Sequence, residues 1–551
     1  MSHFLLNRLI SLKMRWNDFW LRRPLIAAAG QTELAQNNLL RKILGENAQT
    51  EFGRAHRFSS ISSMTEFRKN VPVQDYDSLA PLINRQMAGE QTLTSEAPVY
   101  YARTSGTTGR HKDIPLTRDG LRQVRYAQSQ LSISLWRDTD FLSGSILGFA
   151  SPREEGRLSN GLAYGSMSGS TYASASPILL KKFALPASVF AIKDQEAKYQ
   201  AYGLAVLAGK NLTGIATANP SSILKLVNLI DDSLQELLSS LVGQPSSWLQ
   251  PEALSILPEI RERADHRHLK NMINKLHSGE ELTSRDVWPK LSTVATWTGG
   301  SCGIAITQLK RRLPAEVEFV EIGYASSEFM GSTNIDARRN TCLPLLNHHV
   351  YEFVRRADWE ANKPRFLGLH ELRVGEDYYV FVTTSSGLYR YNINDIVRAE
   401  RGVGDCPAIV FIQKGKGVTN ITGEKLTEHQ LIEAVSQCIA EQGVDAGGYL
   451  ALADEKNSLY RFYLEQEQPS ISSALEAALD EKLRKLNSEY DDKRASGRLQ
   501  SLKLYRFRKN ACETIRDWSV AEGVRESQYK PTVLAYAKDW MPRLSELVQE
   551  D

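Results

Sequence analysis

Residues able to do chemistry gather in a few short stretches. Thr104–Lys112, TSGTTGRHK, places four hydroxyls and two glycines ahead of a lysine, between the apolar runs Val99-Tyr100-Tyr101 and Ile114-Pro115-Leu116. Glycine lets a backbone turn tightly and aim its N–H groups at an anion. Hydroxyls add donors, and Arg110 or Lys112 adds charge, so the stretch suits a polyphosphate. It is not a Walker loop: from Gly106 the spacing to the lysine is G-x-x-G-x-x-K, and no helix opens at the lysine. A polar turn with no ligand is the competing reading.

Gly323–Glu328, GYASSE, follows the strand-like Val317–Ile322. A carboxylate at the end of a buried strand lies where α/β sheets place ligands, and Glu328 could hold a magnesium ion or simply cap the next segment. In Leu388–Arg398, LYRYNINDIVR, Asp395 stands among Ile393, Ile396 and Val397, where burial is costly unless something donates to it. Vicinal ribose hydroxyls would do so, and so would an ion pair with Arg390 or Arg398. Trp297–Cys302, WTGGSC, could admit a planar ring against its glycines or be a tight turn. Lys530, in QYKP, reads by composition as surface.

The elements that must position these residues follow from periodicity. Residues 31–90 read as helices, and from there to about 413 β-type runs alternate with amphipathic helices, the pattern of an α/β domain. Strand runs include Pro98–Tyr101, Val317–Ile322, Tyr378–Thr384 and Ala408–Ile412, and the clearest helices are Leu121–Leu135 and Ile223–Leu241. A hairpin turn is expected at Ser385-Ser386-Gly387. Glycine-rich 413–423, QKGKGVTNITG, separates this domain from a small α+β one. There Thr427 and Gln430 form a capping pair, Gly443 ends the helix, and Ser472–Tyr490 is another helix. The expected division is 1–413 (1–90 a mostly helical lead-in), a hinge at 414–425, and 426–551.

The 551 residues exceed one core, and 42% hydrophobic with 24% charged residues is an ordinary globular balance. Lys and Arg outnumber Asp and Glu by 67 to 64, too slight an excess to point to a nucleic-acid or anionic-membrane surface, either of which needs clustered basic charge. Cys302, Cys342, Cys406, Cys438 and Cys512 form no CxxC pair, so no zinc knuckle is expected and a reducing, cytoplasmic setting is. Charges interrupt the apolar residues of Met1–Arg23, which reads as an amphipathic helix lying on the protein and not on a membrane.

A Ser/Thr/Gly loop ending in lysine, then YASSE, YRxxxxD, a glycine-rich joint and a late lysine is the layout of adenylate-forming enzymes. The chain most resembles the Gretchen Hagen family, the auxin-responsive-promoter acyl acid amido synthetases and their bacterial relatives. TEFGRAHRFSSI (Thr50–Ile61), EFRKNVPVQDYDSL (Glu66–Leu79) and AGEQTLTSEAPVYYARTSGTTG (Ala88–Gly109) are similar to the family's lead-in, and the resemblance spans about 35–540.

It implies an α/β fold of the ANL type, with a large N-terminal adenylation domain and a small, mobile α+β C-terminal one. It implies ATP and Mg²⁺ as cofactors. Ser105, Gly106, Thr107, Thr108 and Gly109 would bind phosphates with Lys112 nearby. Tyr324, Ala325, Ser326 and Ser327 would line the nucleotide pocket, Glu328 would ligate magnesium and Asp395 would take the ribose. Lys414 falls at the hinge, and Lys530 matches the catalytic lysine of adenylation. Asn394, before the aspartate, tolerates left-handed backbone where the family often has glycine. The acid pocket is sought in Ser166–Tyr172 and Leu131–Trp136. The activity implied is an ATP-dependent ligase that adenylates a carboxylic acid, releases pyrophosphate and transfers the acyl group to an amine, an amino acid above all. A thioester-forming acyl ligase and a non-catalytic nucleotide-binding regulator are the alternatives. Small acid and amine substrates are expected, without nucleic-acid, membrane or obligate protein partners.

Overall fold

A computed structural model describes residues 3–549 except 105–111, 150–153, 168, 170–175, 193, 416, 423, 444–445, 467–471, 525 and 527–528. The chain divides into two units. The first holds Met1–Thr298, Leu309–Ile393 and Val397–Val410, and the second Gly299–Gln308, Asn394–Ile396 and Phe411–Asp551.

In the first unit, helices fill most of the chain up to Met87. An antiparallel hairpin follows, Tyr100–Thr104 with Lys112–Leu116, whose last rung pairs Thr104 with Lys112. Ser105, Gly106, Thr107, Thr108 and Gly109, between those strands, lie outside the described residues. The helix expected over 121–135 runs Arg118–Asp138, opened by the Thr117 hydroxyl accepting from the Gly120 N–H.

Ser145–Gly148, Leu212–Ala216, Thr293–Thr296 and Glu318–Glu321 form a parallel sheet in that order. Helix Gln195–Ala208 is buried almost all round, and its Leu204 and Leu207 share a core with Val294. The helix expected over 223–241 is two, Pro220–Asp232 and Leu234–Val242, because Ser233 leaves helical geometry (φ −130°, ψ 30°). The break lets Leu226 and Ile230 of one half, and Leu237 and Leu241 of the other, reach that same core.

A third sheet orders Phe366–Leu367, His349–Arg355, Asp377–Thr384, Tyr391–Val403 and Cys406–Lys414. Gly387 turns the expected hairpin at φ +98°, while Leu388–Arg390 lie ahead of the strand that carries Asp395.

The second unit is built on a four-stranded sheet ordered Lys503–Phe507, Leu459–Gln466, Ala446–Asp454 and Leu534–Tyr536. Strand alternation buries both faces. Tyr449, Ala451 and Ala453 share one core with Leu431, Val435, Leu475 and Leu479, and Leu450 and Leu452 share another with Ile515 and Leu544. Helix Glu428–Gln442 has both capping-box contacts between Thr427 and Gln430, and ends at Gly443 (φ +64°). The helix expected over 472–490 instead stops at Leu486. Asn487 there accepts from the Tyr490 N–H and starts a second helix, Ser488–Ala495.

Candidate active site

The YASSE turn lies just beyond the carboxyl end of Glu318–Glu321, the edge strand of the parallel sheet, where such sheets receive ligands. Glu321 anchors it. One carboxylate oxygen accepts from the Thr298 N–H and hydroxyl, both at 2.7 Å, and the other from the Gly323 N–H at 2.9 Å. The Trp297 indole N–H donates to the Gly323 carbonyl at 3.0 Å. Gly323 is required here: φ is +111°, and a Cβ would stand 2.4 Å from the Ser332 carbonyl oxygen.

Beyond it the chain doubles back. The Tyr324 N–H donates to the Ser332 hydroxyl at 2.9 Å and the Ser332 N–H to the Tyr324 carbonyl at 2.8 Å. Ala325 bridges Met330, and the Ser326 N–H donates to the Phe329 carbonyl. The Ser326 hydroxyl accepts from the Glu328 N–H at 3.2 Å. The Ser326 hydroxyl thus satisfies the Glu328 N–H within the turn. Ser327 completes the turn.

Glu328 lines a cleft with Phe329, Met330, His349, Met167, Gln123 and Val124. It is partly buried, and its carboxylate has no hydrogen bond or ion pair among the described residues. A partly buried carboxylate facing a cleft can accept a cation that arrives with its ligand. Among the described residues no group of three or more His, Cys, Asp or Glu side chains could hold a metal. A lone carboxylate is what magnesium takes alongside phosphate oxygens, so the residues present fit that ion.

The two segments offered for the acid pocket lie in different surroundings. Met167, from the 166–172 segment, lines it, whereas Leu131, Ile133, Leu135 and Trp136 belong to a separate core with Leu6 and Ile10. His349 is buried and neutral: burial pushes its imidazole down to about 3, and that of the adjacent His348 to about 4.

Two tyrosines, one in each of the stretches Glu66–Leu79 and Leu388–Arg398, stand near Lys112 and Glu328. The Lys112 ammonium is 5.5 Å from the centre of the Tyr76 ring, and the Tyr76 hydroxyl accepts from the Asp113 N–H at 2.9 Å. Asp113 is itself paired by Arg103 at 2.8 and 2.9 Å. Tyr391 is buried, and its phenol is pushed up by burial first, then by Glu328 and by Asp75 and Tyr76. Lys112 and Glu328 thus share the surroundings of Tyr76 and Tyr391.

Both arginines offered as alternative partners for Asp395 also pair with other carboxylates. Arg390 holds Glu352 at 2.9 Å and Arg398 holds Asp377 at 2.7 Å.

In the second unit Asp395 is buried at 5% exposure. Asn394 before it is left-handed (φ +58°), the geometry that asparagine was expected to tolerate, and its carbonyl accepts from the Gly415 N–H at 2.8 Å. Lys414 is exposed at the end of its strand. The Lys530 ammonium lies 4.4 Å from the centre of the Phe411 ring. The glycines of WTGGSC receive that same residue: a Cβ on Gly299 would come within 2.7 Å of the Phe411 carbonyl oxygen. Lys530 and Lys414 both act on Glu428. Burial pushes its carboxyl up to about 7, and the two ammonium charges, Lys530 first, oppose the shift. Sequence reading missed Glu428, whose only mark is its place one residue after the Thr427 cap.

Against proteins already known, the GH3 family N-terminal domain matches residues 25–316, the GH3 family central domain 342–414 and the GH3 family C-terminal domain 429–538. The indole-3-acetic acid-amido synthetase GH3.15 of Arabidopsis thaliana is 28% identical over 427 residues, 73% of this chain and 71% of that one. The solved structure of a GH3.15 acyl acid amido synthetase shares the fold, with a TM-score of 0.82 at 22% identity over 95% of each chain. A 2-hydroxyisobutyryl-CoA ligase holding its acyl-AMP has a TM-score of 0.57 at 11% identity, over 93% of this chain and 91% of that one. Both of these solved structures share this chain's fold. With the N-terminal, central and C-terminal domains matched in that order along almost its whole length, the chain belongs to the GH3 family.

Proposed function

We propose that the protein is an ATP-dependent acyl acid amido synthetase. It joins a carboxylic acid to AMP with release of pyrophosphate, then passes the acyl group to an amine, an amino acid. The observation that carries this reading is the Glu328 carboxylate, partly buried at the carboxyl end of a parallel sheet and facing a cleft, with no hydrogen bond or ion pair among the described residues.

In the first half-reaction a carboxylate oxygen attacks the α-phosphorus and the α–β phosphoanhydride bond breaks. Oxide is a poor leaving group and AMP a good one, so the acid leaves this step as an acyl donor. Two anions approach each other, and the site must supply positive charge where it develops. Backbone N–H groups of Ser105–Gly109, together with Lys112, serve the phosphates. Tyr324, Ala325, Ser326 and Ser327 border the nucleotide, and Asp395 accepts from the ribose hydroxyls. Glu328 would hold magnesium, which when bound neutralises triphosphate charge. Lys530 stabilises the charge gathering between carboxylate and α-phosphate.

In the second half-reaction the amine attacks the acyl carbon, AMP departs and the ammonium loses a proton. The unit from 426 to 551, turning about a hinge at 414–425 that includes Lys414, withdraws Lys530 between the two steps. A cytoplasmic setting supplies ATP and keeps the thiols reduced.

The test is pyrophosphate release from Mg-ATP across aryl, indolyl and fatty acids, with amino acids and coenzyme A offered together and product mass as the readout. An acyl-amino acid is expected. An acyl-coenzyme A product would favour the thioester alternative, and ATP binding without pyrophosphate release would favour a regulator.

A further inference from the structure

Helix His3–Asn17 was expected to lie on the protein and not on a membrane, and it does lie on the protein. Leu6, Ile10 and Met14 are buried beside Ile133, Phe141 and Ile146. It also has a second apolar face. Leu5, Leu9, Leu12, Trp16, Phe19 and Trp20 point outward, with Leu12 64%, Trp16 66% and Trp20 56% exposed. They recur at the spacing of one helical stripe. A wide turn follows the helix, in which the Arg23 N–H reaches the carbonyl of Asp18, five residues back, and it carries both Phe19 and Trp20 on the outside. The rings of Trp16 and Trp20 are 5.8 Å apart, and those of Phe19 and Trp20 5.1 Å. Six large apolar side chains within sixteen residues make a continuous patch of the kind that marks an interaction surface.

Charge selects the partner. Residues 3–23 carry Arg8, Lys13, Arg15, Arg22 and Arg23 against Asp18 alone, while the whole chain has an excess of only three positive charges. The rest of the chain is therefore net acidic, and the cationic excess is local to this segment. Asp18 is already engaged by Arg22, whose guanidinium also donates to the Ile335 carbonyl. Arg8, Arg15 and Arg23 are exposed along the apolar stripe. A second copy docking by the same face would bring two such cationic stripes together, which disfavours self-association. Tryptophan, phenylalanine and leucine bordered by arginine are what the headgroup region of an anionic bilayer accepts. We propose that this outer face is a docking surface for an anionic lipid membrane. The helix lies in the interfacial plane, and its inner face ties it to the rest of the first unit. The inference is independent of the reaction assigned above.

The full chain is tested with vesicles of phosphatidylcholine alone and with 30% phosphatidylglycerol, by co-sedimentation and tryptophan emission. Binding to the anionic vesicles, a blue shift and loss of binding at high salt are expected. The triple variant Arg8→Ser, Arg15→Ser, Arg23→Ser should bind roughly a hundred-fold more weakly, at the free energy usual for a basic residue near an anionic surface. Trp16→Ser with Trp20→Ser should also lose binding. Both variants alter exposed side chains, and an unchanged circular dichroism spectrum would confirm that they fold. Absence of binding to anionic vesicles, or equal binding by both variants, overturns the proposal. So does a dimer in solution that these substitutions dissolve while vesicles are ignored.

Discussion

Arg390 holds the start of the Asp395 strand to two other elements, and replacing it by methionine should be costly. Its guanidinium is 4% exposed. It donates to Glu352 at 2.9 Å and to the carbonyls of Arg68 and Val71 at 3.1 and 2.8 Å, and it lies 4.4 Å from the centre of the Phe366 ring. Glu352, 2% exposed, accepts from Arg68 at 2.9 Å through its other oxygen. Arg390→Met keeps much of the volume but removes the donors to two buried carbonyls and one of the two cations on a buried carboxylate. Breaking a buried pair from one side costs about 3–5 kcal/mol. Removing both charged groups, as in Arg390→Met with Glu352→Gln, should cost less than the two single changes summed, because both singles break the same Arg390–Glu352 pair. The assay is native-state hydrogen exchange at His349–Arg355 and Asp377–Thr384, the strands on which Glu352 and the Arg390 hairpin rest. Amides that open with the whole unit should exchange roughly a hundred- to several-thousand-fold faster in Arg390→Met. An acceleration below about five-fold, or strict additivity in the double variant, would refute the view that this ion pair holds the sheet in place.

Other expectations follow from the site. The Glu428 carboxyl, pushed up to about 7, binds a proton in the folded chain at pH values where the unfolded chain has released it. Its contribution is present at low pH and is lost as pH rises through 7. The second unit should lose about 3 kcal/mol between pH 5 and 8 from this group, and Glu428→Gln should flatten that slope in thermal unfolding. His348 and His349, pushed down to about 4 and 3, act in the opposite sense. The unfolded chain takes up their protons first as pH falls below about 6.5, so stability declines from there toward pH 4, and His349→Leu should lessen the decline. Asp395→Ala should weaken ATP binding by at least ten-fold, the loss of a charge-assisted contact to the ribose, as read by calorimetry; unaltered affinity would reject that contact.

Local rules made part of this legible in sequence. The Thr427 and Gln430 pair and Gly443 bound their helix as capping chemistry requires, and Gly323 sits where only glycine fits between Glu321 and Ser332. What local rules missed depends on partners distant in sequence. Ser233 and Asn487 interrupt helices because tertiary packing or a side-chain cap overrides periodicity. Arg390 pairs with Glu352, 38 residues earlier in the chain, a partner that no local pattern marks. Glu428 carries no motif, and only the fold brings the charges of Lys530 and Lys414 to bear on it. The first helix was legible as amphipathic, yet periodicity alone could not reveal two apolar faces with only one of them covered.

The central claim is that the α-phosphorus of ATP is handed to a carboxylic acid by a site in which Lys530 stabilises the developing charge. Exchange of labelled pyrophosphate into ATP, measured for the intact protein and for Lys530→Ala beside a determination of ATP affinity, addresses it directly. Acid-dependent exchange in the intact protein is expected, with a roughly 100- to 1,000-fold loss in Lys530→Ala at nearly unchanged ATP affinity, the effect of removing one donor aimed at transition-state charge. No acid-dependent exchange from any aryl, indolyl or fatty acid, or an equal loss of exchange and affinity in Lys530→Ala, would contradict it.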